Sequence, residues 1–395
     1  MLKSRLTHNQ VLVFVILLLF LFQTLISVSV KSPIYDEPAH LARAYLYLKT
    51  GYLAIIGHPP LMHILAGFPL LFMNLNLPSD YENYMIKNDY ISLGPEIFYH
   101  INNNANSVFF WSRIPLILLG VILGFYVYKW ARELYGIKAG IFALILYTFN
   151  PLILGNAPLL MTDMIFTCFG FISLYYLRKF LSDKSIINLI LTSIMFGLAM
   201  SSKFSALVLI PIFIFFIILQ VYDFSFRTLF TETVNKERVK RLTSFGSSLV
   251  IIILLTLLII NIVYAFDGSL KTLNERLRDD PYTYFDKGYF KPDSIAKRIT
   301  NNPPLIYVIS TTLDYGSSLL PYNYIKEIVS AIRINDPALE SSATGGYLMG
   351  QYSREGFWYY HLFAFLIKSP IPLLILISIV FIIHFKIDFK NEVFL

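Results

Sequence analysis

Blocks of apolar residues long enough to cross a lipid bilayer recur along the chain. The first runs from Val11 to Val30, and 20 residues at about 1.5 Å each cover roughly 30 Å, one hydrocarbon thickness. The pattern predicts an all-α polytopic membrane protein with about eight spans. These spans are 11–30, 111–129, 139–155, 159–177, 186–201, 204–221, 247–266 and 366–385.

Composition supports this class. Hydrophobic residues make up 56% of the 395 and charged residues 14%, against about 25% charged in soluble domains. The single cysteine, Cys168, excludes an intrachain disulfide, so the loops must be held by packing. The net charge of +7 comes mostly from short basic loops and does not indicate nucleic-acid binding.

Those basic loops predict the orientation. Lys and Arg cluster at the N-terminus, after the second, fourth and sixth spans, and in the C-terminal tail, which all fall on one side if there are eight spans. We therefore expect a plasma (inner) membrane protein with a cytoplasmic N-terminus and two outer loops, 31–110 and 267–356. Residues 1–385 would form one transmembrane domain and 386–395 a short cytoplasmic tail. The first span has no small-residue cleavage site after it, which favours an anchor over a signal peptide.

The first outer loop contains two predicted elements. A short amphipathic helix is expected from about Pro38 to Thr50, with proline near its start and Gly51 as a stop signal. Residues 61–75 form an apolar run of 15, too short for a span, and predict a helix in the outer interface.

The acidic pair Asp36 and Glu37 precedes this helix and is the first candidate for catalysis. Helical spacing places Asp36, His40 and Arg43 on one stripe, which we expect to face a cleft. The other stripe would lie against membrane or bundle, and it consists of Leu41, Tyr45 and Leu48. The alternative is that the two acids only cap the helix, at the positive end of its dipole.

Further ionisable residues are predicted at the same membrane face. Each also has a purely structural explanation. The acid could cap a helix, and the basic residues could lie at the membrane interface with their charge reaching water. His63 is expected to be a packed or interfacial residue. The functional candidates are His58, Arg113, Asp163, Lys203 and Lys368.

The distribution of these charges narrows the function. The middles of the predicted spans are almost free of charge, whereas ion-coupled transporters usually carry ionisable groups near the midplane. Acids and several cations at one interface suit a reaction on a membrane-bound phosphate ester.

Several motifs resemble those of the GT-C glycosyltransferases, in particular the protein O-mannosyltransferase and aminoarabinose-transferase group (glycosyltransferase family 39 and relatives). The resemblance covers nearly the whole chain. In order, the motifs are Tyr35-Asp36-Glu37-Pro38-Ala39-His40, His58-Pro59-Pro60-Leu61, Trp111-Ser112-Arg113-Ile114-Pro115, Glu133-Leu134-Tyr135-Gly136, Met161-Thr162-Asp163, Gly197-Leu198-Ala199-Met200-Ser201-Ser202-Lys203, Tyr347-Leu348-Met349-Gly350 and Lys368-Ser369-Pro370.

The resemblance implies a GT-C-like bundle and a sugar donor carried on polyprenyl phosphate, of the undecaprenyl or dolichyl type. It implies that Asp36 is the catalytic base and that Asp163 organises the acceptor or the neighbouring charges. It also implies that Lys203, His58 and Lys368 hold the donor phosphate. Arg113 is a further candidate for donor binding, and His40 and Arg43 are expected to support the site. The acceptor would be a hydroxyl of a protein, a lipid or a glycan at the outer face, with membrane lipids as surroundings and no nucleic-acid partner.

Two other functions stay open from the sequence, a carrier or flippase for polyprenyl-linked glycans and an inactive lipid-binding or assembly subunit. The chain ends about ten residues after the last predicted span, whereas family members usually continue, so we expect a short or truncated member. The acidic pair would suit Mg²⁺ or Mn²⁺, but no ligand spacing requires a cofactor.

Overall fold

A computed structural model describes residues 8–53, 57–101, 103–222, 236–267, 271, 275, 303–334, 346–353 and 356–386. The predicted tail beyond 386, the N-terminal Lys3 and Arg5, and much of the second outer loop lie outside the described residues.

The described chain is helical apart from one short hairpin. In chain order, the helices are α1 (His8–Val30), α2 (Glu37–Thr50), α3 (Leu61–Gly67), α4 (Tyr81–Lys87), α5 (Tyr90–Pro95), α6 (Ala105–Tyr135), α7 (Ile137–Thr148), α8 (Pro151–Asn156), α9 (Thr162–Asp183), α10 (Ile186–Met200), α11 (Leu209–Tyr222), α12 (Lys236–Val263), α13 (Pro303–Gly316), α14 (Tyr322–Ile334), α15 (Tyr360–Lys368) and α16 (Ile371–Lys386). Strands β1 (Gly346–Leu348) and β2 (Gln351–Ser353) pair antiparallel, and the turn between them holds Met349 and Gly350 at positive φ.

The prediction of an all-α polytopic membrane protein is confirmed, with a qualification on the spans. Among the described residues, four helices are long and apolar enough to cross a membrane: α1, α6, α9 and the part of α12 from Gly246 to Val263. A fifth candidate is the last predicted span, in which α15 and α16 are bent by 113° at their junction. The predicted spans 139–155, 186–201 and 204–221 contain shorter apolar helices.

Helices α6 and α9 run in the same direction. Near the start of α6, Arg113 is linked through Glu37 to the backbone of Leu160, two residues before α9. Near its end, Glu133 accepts a hydrogen bond from the Tyr175 hydroxyl of α9 at 2.7 Å. The chain between α6 and α9 therefore returns across the bundle through α7 and α8.

Small residues let the helices of the bundle approach closely. Gly120 and Gly124 lie one turn apart on α6, and a Cβ atom on them would meet Phe20 at 3.0 Å and Tyr147 at 2.8 Å. The Tyr147 hydroxyl donates to the Gly120 carbonyl at 2.6 Å, which satisfies its polar atom inside an apolar interface. Close packing at glycine commonly drives helix association in membranes, because the hydrophobic effect does not favour contact between two helices that are both surrounded by lipid.

The predicted helix 38–50 is present as α2, and Gly51 ends it in the left-handed conformation at φ 75°. The apolar run 61–75 forms α3 followed by a 3₁₀ turn, Phe68–Phe72. The apolar stripe of α2 packs into the bundle, as predicted, since Leu41 and Tyr45 are buried. The prediction that the polar stripe faces a cleft was wrong, because His40 and Arg43 are buried as well. Helices α3 and α5 pack against α2, so both its polar and its apolar faces are covered.

The tightest contact on α2 is made by Gly94 of α5, where a Cβ atom would lie 2.5 Å from the Pro38 carbonyl carbon. Gly94→Ala is expected to lower thermal stability, since overpacking of this kind destabilises by about 1–3 kcal/mol. The measurement is the unfolding temperature of the purified protein in detergent. Gly155→Ala is the matched control, because a Cβ atom there meets nothing within 4 Å. Equal unfolding temperatures for the two variants would contradict the close approach of α5 to α2.

Candidate active site

The start of α2 is fixed by a buried ion pair. Glu37 is fully buried, and its carboxylate accepts hydrogen bonds from Arg113 Nη2 at 2.6 Å and Nε at 3.0 Å. The same carboxylate accepts from the backbone N–H of Ile34 at 2.8 Å and of Leu160 at 2.9 Å. Glu37 therefore ties the loop between α1 and α2 to α6 and to the chain entering α9.

Two of the predicted site residues are the partners in this ion pair. Glu37 was predicted to be catalytic and Arg113 to bind the donor phosphate. Both oxygens of Glu37 accept hydrogen bonds in the buried pair, and the Arg113 guanidinium contacts Glu37 and the Lys31 carbonyl. These contacts hold the loop in place, and the two predicted roles stay predictions.

Asp36 has a different environment from its neighbour. It is exposed at the N-cap of α2, and its side chain makes no capping hydrogen bond. The backbone carbonyl of Asp36, and not its side chain, accepts a hydrogen bond from the His40 N–H at 3.0 Å. Helix capping therefore does not account for the exposed Asp36 carboxylate.

Asp163 and Lys203 form a second, half-open ion pair. Lys203 Nζ donates to Asp163 Oδ1 at 2.7 Å, and the two side chains are 30% and 56% exposed. Asp163 lies in the first turn of α9, and Lys203 follows the end of α10, where the Ser201 carbonyl accepts from the Leu61 N–H at 3.2 Å. This last bond brings the Pro59-Pro60 turn beside Lys203.

The charges of these groups act on His58. The pKa of His58 is lowered to about 4, mainly by burial and also by the positive charges of Arg43 and Lys203, while the negative charges of Asp163 and Asp36 oppose the lowering. All four charges are thus close enough to act on one imidazole. His58 is neutral at physiological pH, so it can donate or accept one hydrogen bond but brings no positive charge to a phosphate.

Behind His58 lies a buried polar cluster that comprises Arg43, His40 and His63. His40 Nδ1 and His63 Nε2 are 3.2 Å apart, and Arg43 Nη1 lies 3.2 Å from His63 Nε2. Burial lowers the pKa of His40 to about 3, and it lowers the pKa of His63 well below the usual value. The predicted supporting residues His40 and Arg43 therefore face the protein interior and do not line an open cleft. His63 is packed, as predicted.

Glu327 of α14 is the partner of Arg43 in this cluster, and it was not predicted from the sequence. Both side chains are fully buried, and one carboxylate oxygen of Glu327 pairs with Arg43 Nη2. A signal was present in the sequence, since Glu327 follows Tyr324 by three residues and precedes Ile328, which places an acid on the apolar face of an amphipathic helix.

Lys368 is the candidate that the structure does not bring to this group. It lies in the last turn of α15, exposed, at the bend before α16. No described contact joins Lys368 to Asp36, Asp163 or Lys203.

A metal role for the acidic residues also stays an expectation. Within the described ranges, no group of three or more His, Cys, Asp or Glu residues could hold a metal ion.

Comparison with known families gives one match. Residues 95–234, about a third of the chain, match the sequence model of the dolichyl-phosphate-mannose-protein mannosyltransferase family. This stretch contains Arg113, Asp163 and Lys203, whereas Asp36 lies before it and Glu327 after it. The match confirms the resemblance read from the motifs and supports a GT-C glycosyltransferase. No curated protein and no solved structure matches the chain.

Proposed function

We propose that this protein transfers a sugar, with mannose as the first candidate, from a polyprenyl-phosphate donor to an acceptor hydroxyl at the outer face of the membrane. One observation carries the proposal: the exposed Asp36 carboxylate, which makes no capping hydrogen bond, and the partly exposed Asp163–Lys203 ion pair both lie near His58. This arrangement occurs in a membrane protein that matches a mannosyltransferase family.

The roles follow from the leaving group. Polyprenyl phosphate is a stable anion when it departs, so no general acid is needed, unlike in glycosidases where an alkoxide leaves. The remaining tasks are to remove the acceptor proton and to stabilise charge on the phosphate oxygens. Asp36 performs the first task and Lys203 the second.

The reaction is a direct displacement. The acceptor oxygen forms a bond to the anomeric carbon while the bond from that carbon to the phosphate oxygen breaks, and its electron pair leaves with the phosphate. The acceptor proton passes to the Asp36 carboxylate. One displacement inverts the anomeric carbon, so a β-linked donor would give an α-linked product.

The Asp163–Lys203 pair prepares the phosphate site. An ammonium has three N–H donors, and one is used by Asp163, so the other two are available to phosphate oxygens. Asp163 fixes the direction in which Lys203 points. His58 adds a neutral hydrogen bond to the phosphate or to a sugar hydroxyl.

Lys203→Gln is expected to raise the KM for polyprenyl-phosphate mannose by about 10- to 100-fold, because a hydrogen bond to a charged group contributes roughly 1.5–3 kcal/mol. The measurement is transfer from the labelled lipid over a range of donor concentrations, with the protein in lipid nanodiscs. Lys87→Gln is the matched control, since Lys87 is an exposed lysine of α4, which lies in the first predicted outer loop. An unchanged KM in Lys203→Gln would remove Lys203 from the phosphate site.

The experiment that tests the function itself compares the wild-type protein with two alternatives. Release of mannose to an acceptor or to water from the labelled donor supports a transferase. Movement of the intact lipid between the leaflets of a liposome, without cleavage, would support a carrier. Binding without either outcome would support a non-catalytic lipid-binding subunit.

A further inference from the structure

We infer that Glu327 is a positioning residue for this reaction, which holds the His58 loop in the conformation that the active site needs. The inference rests on the proposed function for its kinetic consequence, but its structural part stands on its own contacts. Glu327 is assigned no substrate contact of its own; it acts through the backbone of Gly57 and of His58, whose side chain is the proposed substrate contact.

The Glu327 carboxylate binds the loop directly. One of its oxygens accepts the backbone N–H of Gly57 and, at 3.0 Å, the backbone N–H of His58. Two successive backbone N–H groups that converge on one anion form an anion-binding nest. Gly57 has φ 78°, a left-handed conformation that favours glycine and allows this approach.

The partner of Glu327 holds the other side of the same peptide. Arg43 Nη1 donates to the His58 carbonyl at 3.2 Å, while Nη2 pairs with Glu327. The N–H and the C=O of His58 are therefore both fixed by one buried ion pair. The two prolines that follow restrict the chain further, so the His58 ring has little freedom to move.

The arrangement joins the two outer segments. Glu327 lies 284 residues after Arg43 in the sequence, in α14, which is part of the second predicted outer segment, 267–356. The His58 loop belongs to the first segment, and its imidazole is close enough to Asp36, Asp163 and Lys203 for their charges to act on its pKa. Helix α14 thereby determines the geometry of a site to which it contributes no substrate contact.

The test uses the double variant Arg43→Met/Glu327→Leu in the full-length protein. Replacing both charges with apolar side chains of similar size avoids leaving one buried charge unpaired, so the variant is expected to fold. We expect kcat for labelled polyprenyl-phosphate mannose to fall by about 10- to 100-fold, the size of effect that a displaced active-site group produces. The matched control is Glu96→Gln/His100→Gln, which removes an exposed ion pair.

Coupling to His58 separates positioning from a general loss of structure. His58→Ala is expected to lower activity clearly in the wild type and to have little further effect in the Arg43→Met/Glu327→Leu background, where the ring is already displaced. Equal effects of His58→Ala in both backgrounds would overturn the inference, as would a wild-type kcat in the double variant.

A second readout does not depend on enzymatic activity. Carbethoxylation of His58 by diethylpyrocarbonate, located by mass spectrometry, is expected to be at least threefold faster in the double variant than in the wild type. The exposed His100 and His361 are internal controls and should react equally in both proteins. An unchanged His58 rate overturns the inference even if the enzyme is active. A wild-type protein that cleaves no donor defeats the proposed function but leaves this comparison decisive.

Discussion

Asp36→Asn is expected to lower transfer from polyprenyl-phosphate mannose by about 10²- to 10⁴-fold, the usual contribution of a general base, while donor binding is retained. The amide has nearly the shape of the carboxylate but cannot take the acceptor proton. Asp36 is exposed and makes no capping hydrogen bond, so the substitution leaves the start of α2 intact. Turnover is measured with labelled donor, and binding is measured separately with polyprenyl phosphate.

Asp80→Asn provides a closely matched control. Asp80 is also exposed, also occupies the N-cap of a short helix in the first outer segment, and also makes no side-chain capping bond. It should retain wild-type turnover. If Asp36→Asn turned over donor as fast as Asp80→Asn, another group would have to be the base.

Glu37→Leu is expected to destabilise the protein by about 3–5 kcal/mol, because removing one partner leaves the Arg113 charge buried without compensation. The same change frees the backbone N–H groups of Ile34 and Leu160. Unfolding can be followed by heating with a thiol-reactive dye, since Cys168 is the single cysteine and is buried in the folded protein.

Two comparisons test the cause of that loss. Glu37→Leu/Arg113→Met should recover part of the stability, because it removes the uncompensated charge but not the two freed N–H groups. Glu96→Gln should change the unfolding temperature little, since exposed ion pairs contribute only about 0–1 kcal/mol. If Glu37→Leu and Glu96→Gln unfolded at the same temperature, the Glu37–Arg113 pair would not anchor the loop.

The adjacent acids Asp36 and Glu37 show what a sequence motif can and cannot predict. The sequence indicated that this pair matters, but it could not separate the two residues, since both precede the same helix. The structure separates them by burial: Glu37 points inward to Arg113, and Asp36 stays at the surface. One side chain serves the fold, and we propose that the other serves the chemistry.

Glu327 shows what the sequence could not supply. Its position on an apolar helix face was visible, but its partners were not, because Arg43 and the His58 loop are distant in the chain. For Lys368 the predicted role stays a prediction. A motif in the right order predicted a phosphate ligand, while the described contacts leave this lysine outside the group.

The sequence by itself determined the membrane class, the places of most helices and the limits of α2, because hydrophobic length, prolines and glycines act locally along the chain. It also identified the acids and cations that we place in the active site. Only the tertiary structure decided which of these charges are buried in pairs and which remain accessible. Burial and pairing depend on how distant helices pack, and no local pattern contains that information.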